Sequence, residues 1–487
     1  MRFCLNSSES GSEKRMKRKW LAAVILVAAI FMSWAEASAE VGGEKLSFAD
    51  AVAKALMDNP DIRFAEAGVE GQKALKQKTM AAYMPVVDLY TDYVKGDSPS
   101  GALFTSIDQR KLQPNTDFNN PGDFENFESG VKAHMMLFNG GRNILGGKAA
   151  SDMLQAGIAG KKAVVNQVVA DVMKSWFNVL SAQRFLKISE ETVETIKKQL
   201  EIMSVRYKGG GVLKSDILAL KVRLAEAEEE LIRNKSRNLL SGASLAILLG
   251  LSPETDVMID TDQTVFKRFE EAVMKIHKGG GAIRPEMLQA EKMVSGAEKS
   301  AGIAKRNYLP TVNLMGKYYV DDNSMDYSTD RENWTVGVMM NWNLFSGLSN
   351  LADKRKAVSD LTAAREAKRK AGLSVAMDAK RAFLMLEEAG ARLKVSDKNR
   401  ELAEESLMLV KKQYEGGAAT ITRYLDAELA FSKAKNRLAT AQCDRMSAVA
   451  ETARAKGLLA DPVFLINGRG DEPGAPKEME SKPDETE

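Results

Sequence analysis

Along most of this chain, apolar residues recur at helical spacing. Ile188, Val193, Ile196, Leu200, Met203 and Tyr207 follow one another mostly at steps of three and four. Ile217, Leu220, Leu224, Ala227 and Leu231 keep strict 3,4,3,4 spacing, and so do Tyr424, Ala427, Phe431, Ala434 and Leu438. Such a thin seam predicts coiled-coil packing, because a globular core asks for a wider apolar stripe. Between Arg142 and Lys208 there is no proline; at about 1.5 Å per residue a continuous helix there would reach about 100 Å. Charged residues fill the remaining faces, as at Glu226, Glu228, Glu229, Glu230, Arg233 and Lys235, and alanine is frequent, as at Ala363, Ala364, Ala367, Ala427, Ala430 and Ala434. Helices of this kind suit a wall one helix thick, wet on both sides.

Four stretches depart from that period and alternate instead. Val87, Leu89 and Tyr93 oppose Asp88, Tyr90 and Asp92; Val131, Ala133, Met135 and Leu137 oppose Lys132, His134 and Met136. After Pro310, Val312, Leu314, Gly316, Tyr318 and Val320 alternate with Asn313, Met315, Lys317 and Tyr319. Trp334, Val336, Val338, Met340, Trp342 and Leu344 alternate with Thr335, Gly337, Met339, Asn341 and Asn343. Strands of about ten residues with one apolar face, aromatics near the ends and one polar face fit a membrane-spanning barrel. A soluble antiparallel sheet lying on a core alternates as well. If the strands do meet lipid, four are too few to close a barrel, and open edges are not tolerated there, so several chains must share one wall.

The chain repeats itself. Tyr414-Glu415-Gly416-Gly417 lies 207 residues after Tyr207-Lys208-Gly209-Gly210, and the same offset relates Phe345 to Phe138 and Gly457-Leu458 to Gly250-Leu251. Repetition at a fixed offset marks a duplicated unit. Each copy opens alike: Ser47 to Val52 leads to Asn59-Pro60, and Arg268 to Val273 leads to Arg284-Pro285. A helical stretch then runs to Tyr83-Met84-Pro85 or to Tyr308-Leu309-Pro310. Pro310 lies 225 residues after Pro85, so the first copy carries 18 extra residues before Phe138. They fall around Ser98 to Gly122, whose Gly, Ser, Pro and Asn content reads as loop.

The predicted organisation is a signal peptide over 1–39, a first repeat over 40–251, a linker over 252–283, a second repeat over 284–465 and a disordered tail over 466–487. The signal rests on Lys14 to Lys19, the apolar run Trp20 to Trp34 and Ala37-Ser38-Ala39, with cleavage expected before Glu40; Met16 is an alternative start. Cys4 precedes the apolar run, the wrong side for a lipid-modified cysteine, and Cys443 is expected to be a small buried side chain. A formal charge of +3 spread along helices argues against nucleic acid as a partner. The two histidines, His134 in a strand and His277 in the linker, assemble neither a metal cluster nor a histidine-based triad, so no enzymatic activity is expected.

Leu-Phe-Asn-Gly-Gly at 137–141, Leu-Phe-Ser-Gly-Leu at 344–348, the Tyr-x-Pro motifs and the Tyr-x-Gly-Gly turns, in this order and repeated twice, resemble the TolC-like outer-membrane efflux proteins from Leu46 to Leu459. The resemblance implies a mixed, mostly helical fold in which long helical hairpins form a periplasmic α-barrel. It also implies a homotrimer with a twelve-stranded barrel in outer-membrane lipid, four strands per chain, with no chemical cofactor. The implied partners are a periplasmic adaptor, or membrane fusion protein, and an inner-membrane pump of RND or ABC type. The adaptor would grip the helix-turn tips at Tyr207, Gly209, Gly210, Gly211, Gly416 and Gly417. The periplasmic gate would involve Tyr414, Arg423 and Asp426: the first aspartate of the family's gate pair falls on Arg423 and the second on Asp426, while a basic residue of the family falls on Ala419. Asp426 would then ring the axis with carboxylates, unless Arg423 one turn earlier pairs with it. Asp216 reads as a helix-start residue. The expected function is a passive exit duct for efflux or type I secretion; the competing reading is a periplasmic coiled-coil scaffold or adaptor with no pore.

Overall fold

The computed structural model describes residues 45–260, 269–271, 273–274, 284–324 and 329–461. The expected signal peptide, most of the linker with His277, and the tail lie outside them. Among the described residues, α1 (Phe48–Asp58), α2 (Pro60–Ala81), β1 (Val86–Gly96), α3 (Pro99–Asp108), β2 (Phe124–Phe138), α4 (Arg142–Lys208) and α5 (Lys214–Leu248) form the first copy. The second consists of α6 (Pro285–Lys305), β3 (Thr311–Asp322), β4 (Glu332–Asn341), α7 (Ser349–Glu415) and α8 (Ile421–Ala455).

Both ends of α7 and α8 lie 207 residues after the corresponding ends of α4 and α5, so each copy has one helix of 67 residues and one of 35. No helix among the described residues is long and apolar enough to cross a membrane.

The short helices complete the wall by stacking end to end. Asn59 caps α2 by accepting the N–H groups of Asp61 and Ile62, and its Nδ2 donates to the last carbonyl of α5, Leu248, at 2.9 Å. The second copy repeats the joint with a different residue: Arg284, ahead of Pro285, donates from Nη1 to Ala455 O of α8 at 2.9 Å. Proline at the first helical position and a side chain on the neighbour's orphan carbonyl satisfy two helix ends at once. The helical wall therefore runs α5 with α2, then α4, then α8 with α6, then α7. The best-covered apolar residues belong to α4, where Met173, Trp176 and Phe177 meet α1 and the neighbouring helices; the Phe48 ring stands edge-on to Trp176 at 5.6 Å. Cys443 is buried, as expected.

The strands form one antiparallel sheet in the order β1-β2-β3-β4. Two expectations need correction. The stretch around Ser98 to Gly122, read as loop, contains α3: Pro99 sits at the helix start, where its missing N–H costs nothing, and Ala102 is buried. Strand β4 ends at Asn341, so Trp342 and Leu344 lie past the ladder, with Trp342 Nε1 donating to Tyr308 O at 3.0 Å.

Candidate functional site

Register makes the two faces of the sheet chemically different. Leu89 pairs with Val131, Val131 with Tyr318 and Tyr318 with Trp334; Ala133, Gly316 and Val336 form the next row. Leu89, Val131, Tyr318, Trp334, Val336 and Val338 are all exposed, which leaves an apolar face uncovered within one chain. On the opposite face, Asp88, Lys132, Lys317 and Thr335 share one row. There Lys317 Nζ lies 2.5 Å from Glu128, Tyr90 donates to Glu128 at 2.6 Å, and the Lys317 ammonium sits over the Tyr319 ring. A sheet apolar towards one side and hydrogen-bonded by charge on the other is a wall between hydrocarbon and water. Among the described residues, its edges β1 and β4 have no partner strand. They continue into α2 and α7, the two outer helices of the wall, so both layers end unpaired on the same sides.

At the other end of the helices the two tips close identically. Gly210 and Gly417 both adopt φ +75°. Gly210 N–H bonds Tyr207 O and Gly211 N–H bonds Arg206 O, while Gly417 and Ala418 do the same to Tyr414 and Gln413. This double bond pattern ends a helix on a left-handed residue, a conformation glycine adopts without strain. Of the five tip glycines, these two carry that demand; Gly209 and Gly416 are ordinary helix ends.

The tips differ in their tyrosines. Tyr207 is exposed, whereas Tyr414 stacks on Tyr424 at 5.5 Å and its hydroxyl reaches Met203 Sδ at 3.0 Å. Ile196, Met203, Leu220, Val410, Ile421, Tyr424 and Leu425 make a common core that holds hairpin α4–α5 to hairpin α7–α8. Burial pushes the Tyr424 hydroxyl up to about 12. Asp426 is exposed, and its partner within the chain is Arg223 of α5, at 3.2 Å, with Glu226 on the same guanidinium at 3.0 Å. Arg423, the alternative partner one turn earlier, gives its backbone N–H to Thr420 Oγ1 at the start of α8. Asp216 behaves as expected for a helix start, its Oδ2 accepting the N–H of Leu213.

Above that core the hairpins part around a cavity of about 370 Å³ lined in part by Ser189, Thr192, Asn234, Glu428, Ser432 and Asn436. One carboxylate oxygen of Glu428 and the side-chain oxygen of Asn436 are buried there without hydrogen-bond partners. Burial raises the Glu428 carboxyl above its ordinary range, against the opposing pull of Lys411. Among the described residues no group of histidine, cysteine, aspartate and glutamate is arranged to hold a metal.

Comparison with known proteins agrees with this geometry. Residues 51–251 and 282–458 match the outer membrane efflux protein family, whose members are non-enzymatic channels of the outer membrane with a helical periplasmic portion. Nodulation protein T of Rhizobium leguminosarum is 21% identical over 308 residues, 62% of this chain and 64% of that protein, so the chain spans a little under two thirds of it. The outer membrane protein TolC of Vibrio cholerae is 22% identical over 60% of this chain and 68% of its own length. The crystal structure of the Vibrio cholerae outer membrane protein VceC superposes with a TM-score of 0.69 at 17% identity, over 84% of this chain and 96% of that one.

Proposed function

We propose that this chain, which belongs to the outer membrane efflux protein family, is the passive exit duct of a tripartite efflux or type I secretion system. The observation that carries the reading is the pair of unsatisfied edges. One chain presents four strands with an apolar outer face, and a helical wall, both ending unpaired on the same two sides. Lipid does not tolerate open strand edges, so β4 of one copy pairs with β1 of the next while α7 packs on α2 and α5. Three copies give twelve strands and a continuous bore lined by the polar face.

In this reading residues 1–39 direct export, and the repeats over 40–251 and 284–465 build the wall on either side of a linker at 252–283. Tyr207, Gly209, Gly210, Gly211, Gly416 and Gly417 form the surface that a periplasmic adaptor grips. Asp426, with Arg423 and Tyr414 on the same tip, borders the periplasmic opening, where three carboxylates around one axis favour cations. Drive comes from an inner-membrane pump. The purified protein should conduct ions across a planar bilayer and fractionate with the outer membrane; release by osmotic shock and a silent bilayer would overturn the reading in favour of a scaffold.

A further inference from the structure

The first copy's additional residues are pinned across the far ends of the strands. Phe124 lies on the same face of β2 as Glu128, since alternate residues of a strand share a face. Its ring is held between β1 and α3: a Cβ at Gly96 would stand 2.9 Å from it and one at Gly101 2.6 Å. Gln109, which is buried, donates to Glu125 O at 2.8 Å and to Asn126 Oδ1 at 2.9 Å. Asn333 of β4 donates to Asp108 O at 3.4 Å. Asn126 and Asn333 both donate to Asp321 of β3, at 2.6 and 3.1 Å, which is itself almost fully buried. Arg110 holds a positive φ of 55° and gives its guanidinium to Glu332 O. Lys111 bonds Asp322 at 2.9 Å, and Arg331 shares that carboxylate. Phe124, Asn126, Asp321 and Asn333 lie on the polar face, so the segment spans β2, β3 and β4 on that side at the end of the sheet away from the helices, while Lys111 meets Asp322 at the last residue of β3.

We propose that this strap, residues 97–123, forms the narrowest part of the outer mouth and limits the size of the solutes that leave. The proposal rests on the threefold duct. Twelve strands about 4.8 Å apart, tilted by about 40°, give a wall about 75 Å around and about 24 Å across. Three helices about 10 Å wide, one on each third of the inner surface, occupy most of that cross-section. Phe104 and Ile107 remain exposed on α3 and are the apolar groups a departing solute meets. Such an opening passes small solutes and excludes polypeptides, which makes small-molecule efflux the function of the duct.

Replacing residues 98–121 with a short Gly-Ser turn should raise single-channel conductance severalfold in a planar bilayer; unchanged conductance from an intact trimer overturns the strap. Because that replacement can disturb pairing of β1 with β2, Phe104→Cys supplies an independent measure. A charged thiol reagent should cut its current by half or more, against a background in which Cys443 is buried and its thiol pushed up. Current unaffected by labelling overturns the proposal. Currents from the unaltered protein together with two insensitive variants remove the strap alone, whereas no current from the unaltered protein removes the duct and the strap with it.

Discussion

Helices α4 and α7 are copies of one element, equal in length and bounded at matching positions, yet the chain treats them oppositely. Helix α4 buries Val169, Val172, Met173, Trp176, Phe177 and Val179, among others; α7 buries only Ala382, Leu386, Ala389 and Val410. Leu373, Met377, Val395, Leu402 and Met408 of α7 are exposed. Position explains the difference. Helix α4 has α5 and α2 on one side, α8 and α6 on the other and α1 across it, while among the described residues the main neighbours of α7 are α8 and α6, on one side. Duplication supplied two equivalent helices; within one chain the first is interior and the second keeps an uncovered side, which the proposed trimer would cover.

The largest effect that would break this comparison lies at Trp176 and its equivalent 207 residues later, Phe383. Trp176 is about 1% exposed and Phe383 42%. Trp176→Ala should destabilise the folded chain by about 3–5 kcal/mol, the range for emptying a large core site. Phe383→Ala should leave the unfolding of dissociated chains nearly unchanged but lower the temperature at which trimers dissociate. Equal losses at the two sites in denaturant unfolding would show that α7 is covered within its own chain.

The second effect concerns how the wall is tied together at mid-height. Glu451 of α8 meets Lys174 of α4 at 2.5 Å and Arg454 at 2.6 Å, and Arg454 reaches Asp378 of α7 at 3.2 Å. Burial raises the Glu451 carboxyl, and the Arg454 and Lys174 hydrogen bonds outweigh it, bringing it down to about 2. A depressed carboxyl stabilises the fold above its unfolded value near 4.5, and that contribution is lost as pH falls towards 2. Glu451→Gln should cost about 2–3 kcal/mol at neutral pH, less than a wholly enclosed pair because Lys174 is partly wet. The variant should also lose less stability than the parent on acidification through that window; parallel pH–stability curves would discount the pair.

A third, smaller contrast is written into the strand-to-helix turns. Gly141 precedes α4 at φ +74°, and its equivalent before α7 is Leu348 at φ +70°. A branched side chain in the left-handed region costs about 1–2 kcal/mol. Leu348→Gly should therefore stabilise the chain by about 1 kcal/mol in chemical denaturation, unless the exposed Leu348 side chain is covered on assembly, in which case the trimer should be weakened instead.

Helix ends, the duplication and the alternating faces were legible because each is local: Pro60, Pro285 and the tip glycines mark boundaries by backbone chemistry, and register follows from a period of two. What escaped depended on distant partners. Pro99-Ser100-Gly101-Ala102 has the composition of a turn and becomes helical while packed on Phe124, some twenty residues on. Strand β4 seemed longer because Trp342 and Leu344 keep the alternation beyond the last ladder pair at Asn341. At the tips, Arg423 was the natural partner for Asp426 by helical spacing, whereas Arg223 comes from another hairpin, on a face whose neighbouring glutamates read as solvated surface.

The Arg223–Asp426 pair gives the smallest expected energy and the sharpest local comparison. Asp426 is exposed and Arg223 about a third exposed, so screening leaves the pair worth less than about 1 kcal/mol, and Arg223→Ala should barely move global unfolding. Its consequence is electrostatic. Arg223 shares its charge between Glu226 and Asp426, so removing it leaves both carboxylates unneutralised in each chain of the proposed trimer. Cation over anion permeability should rise in Arg223→Ala and fall in Asp426→Ala, while Arg423→Ala should behave like the parent protein. If Arg423→Ala alone changes selectivity, the inter-hairpin pair does not set the charge of the opening, and the tip core around Tyr414 and Tyr424 holds the hairpins together without it.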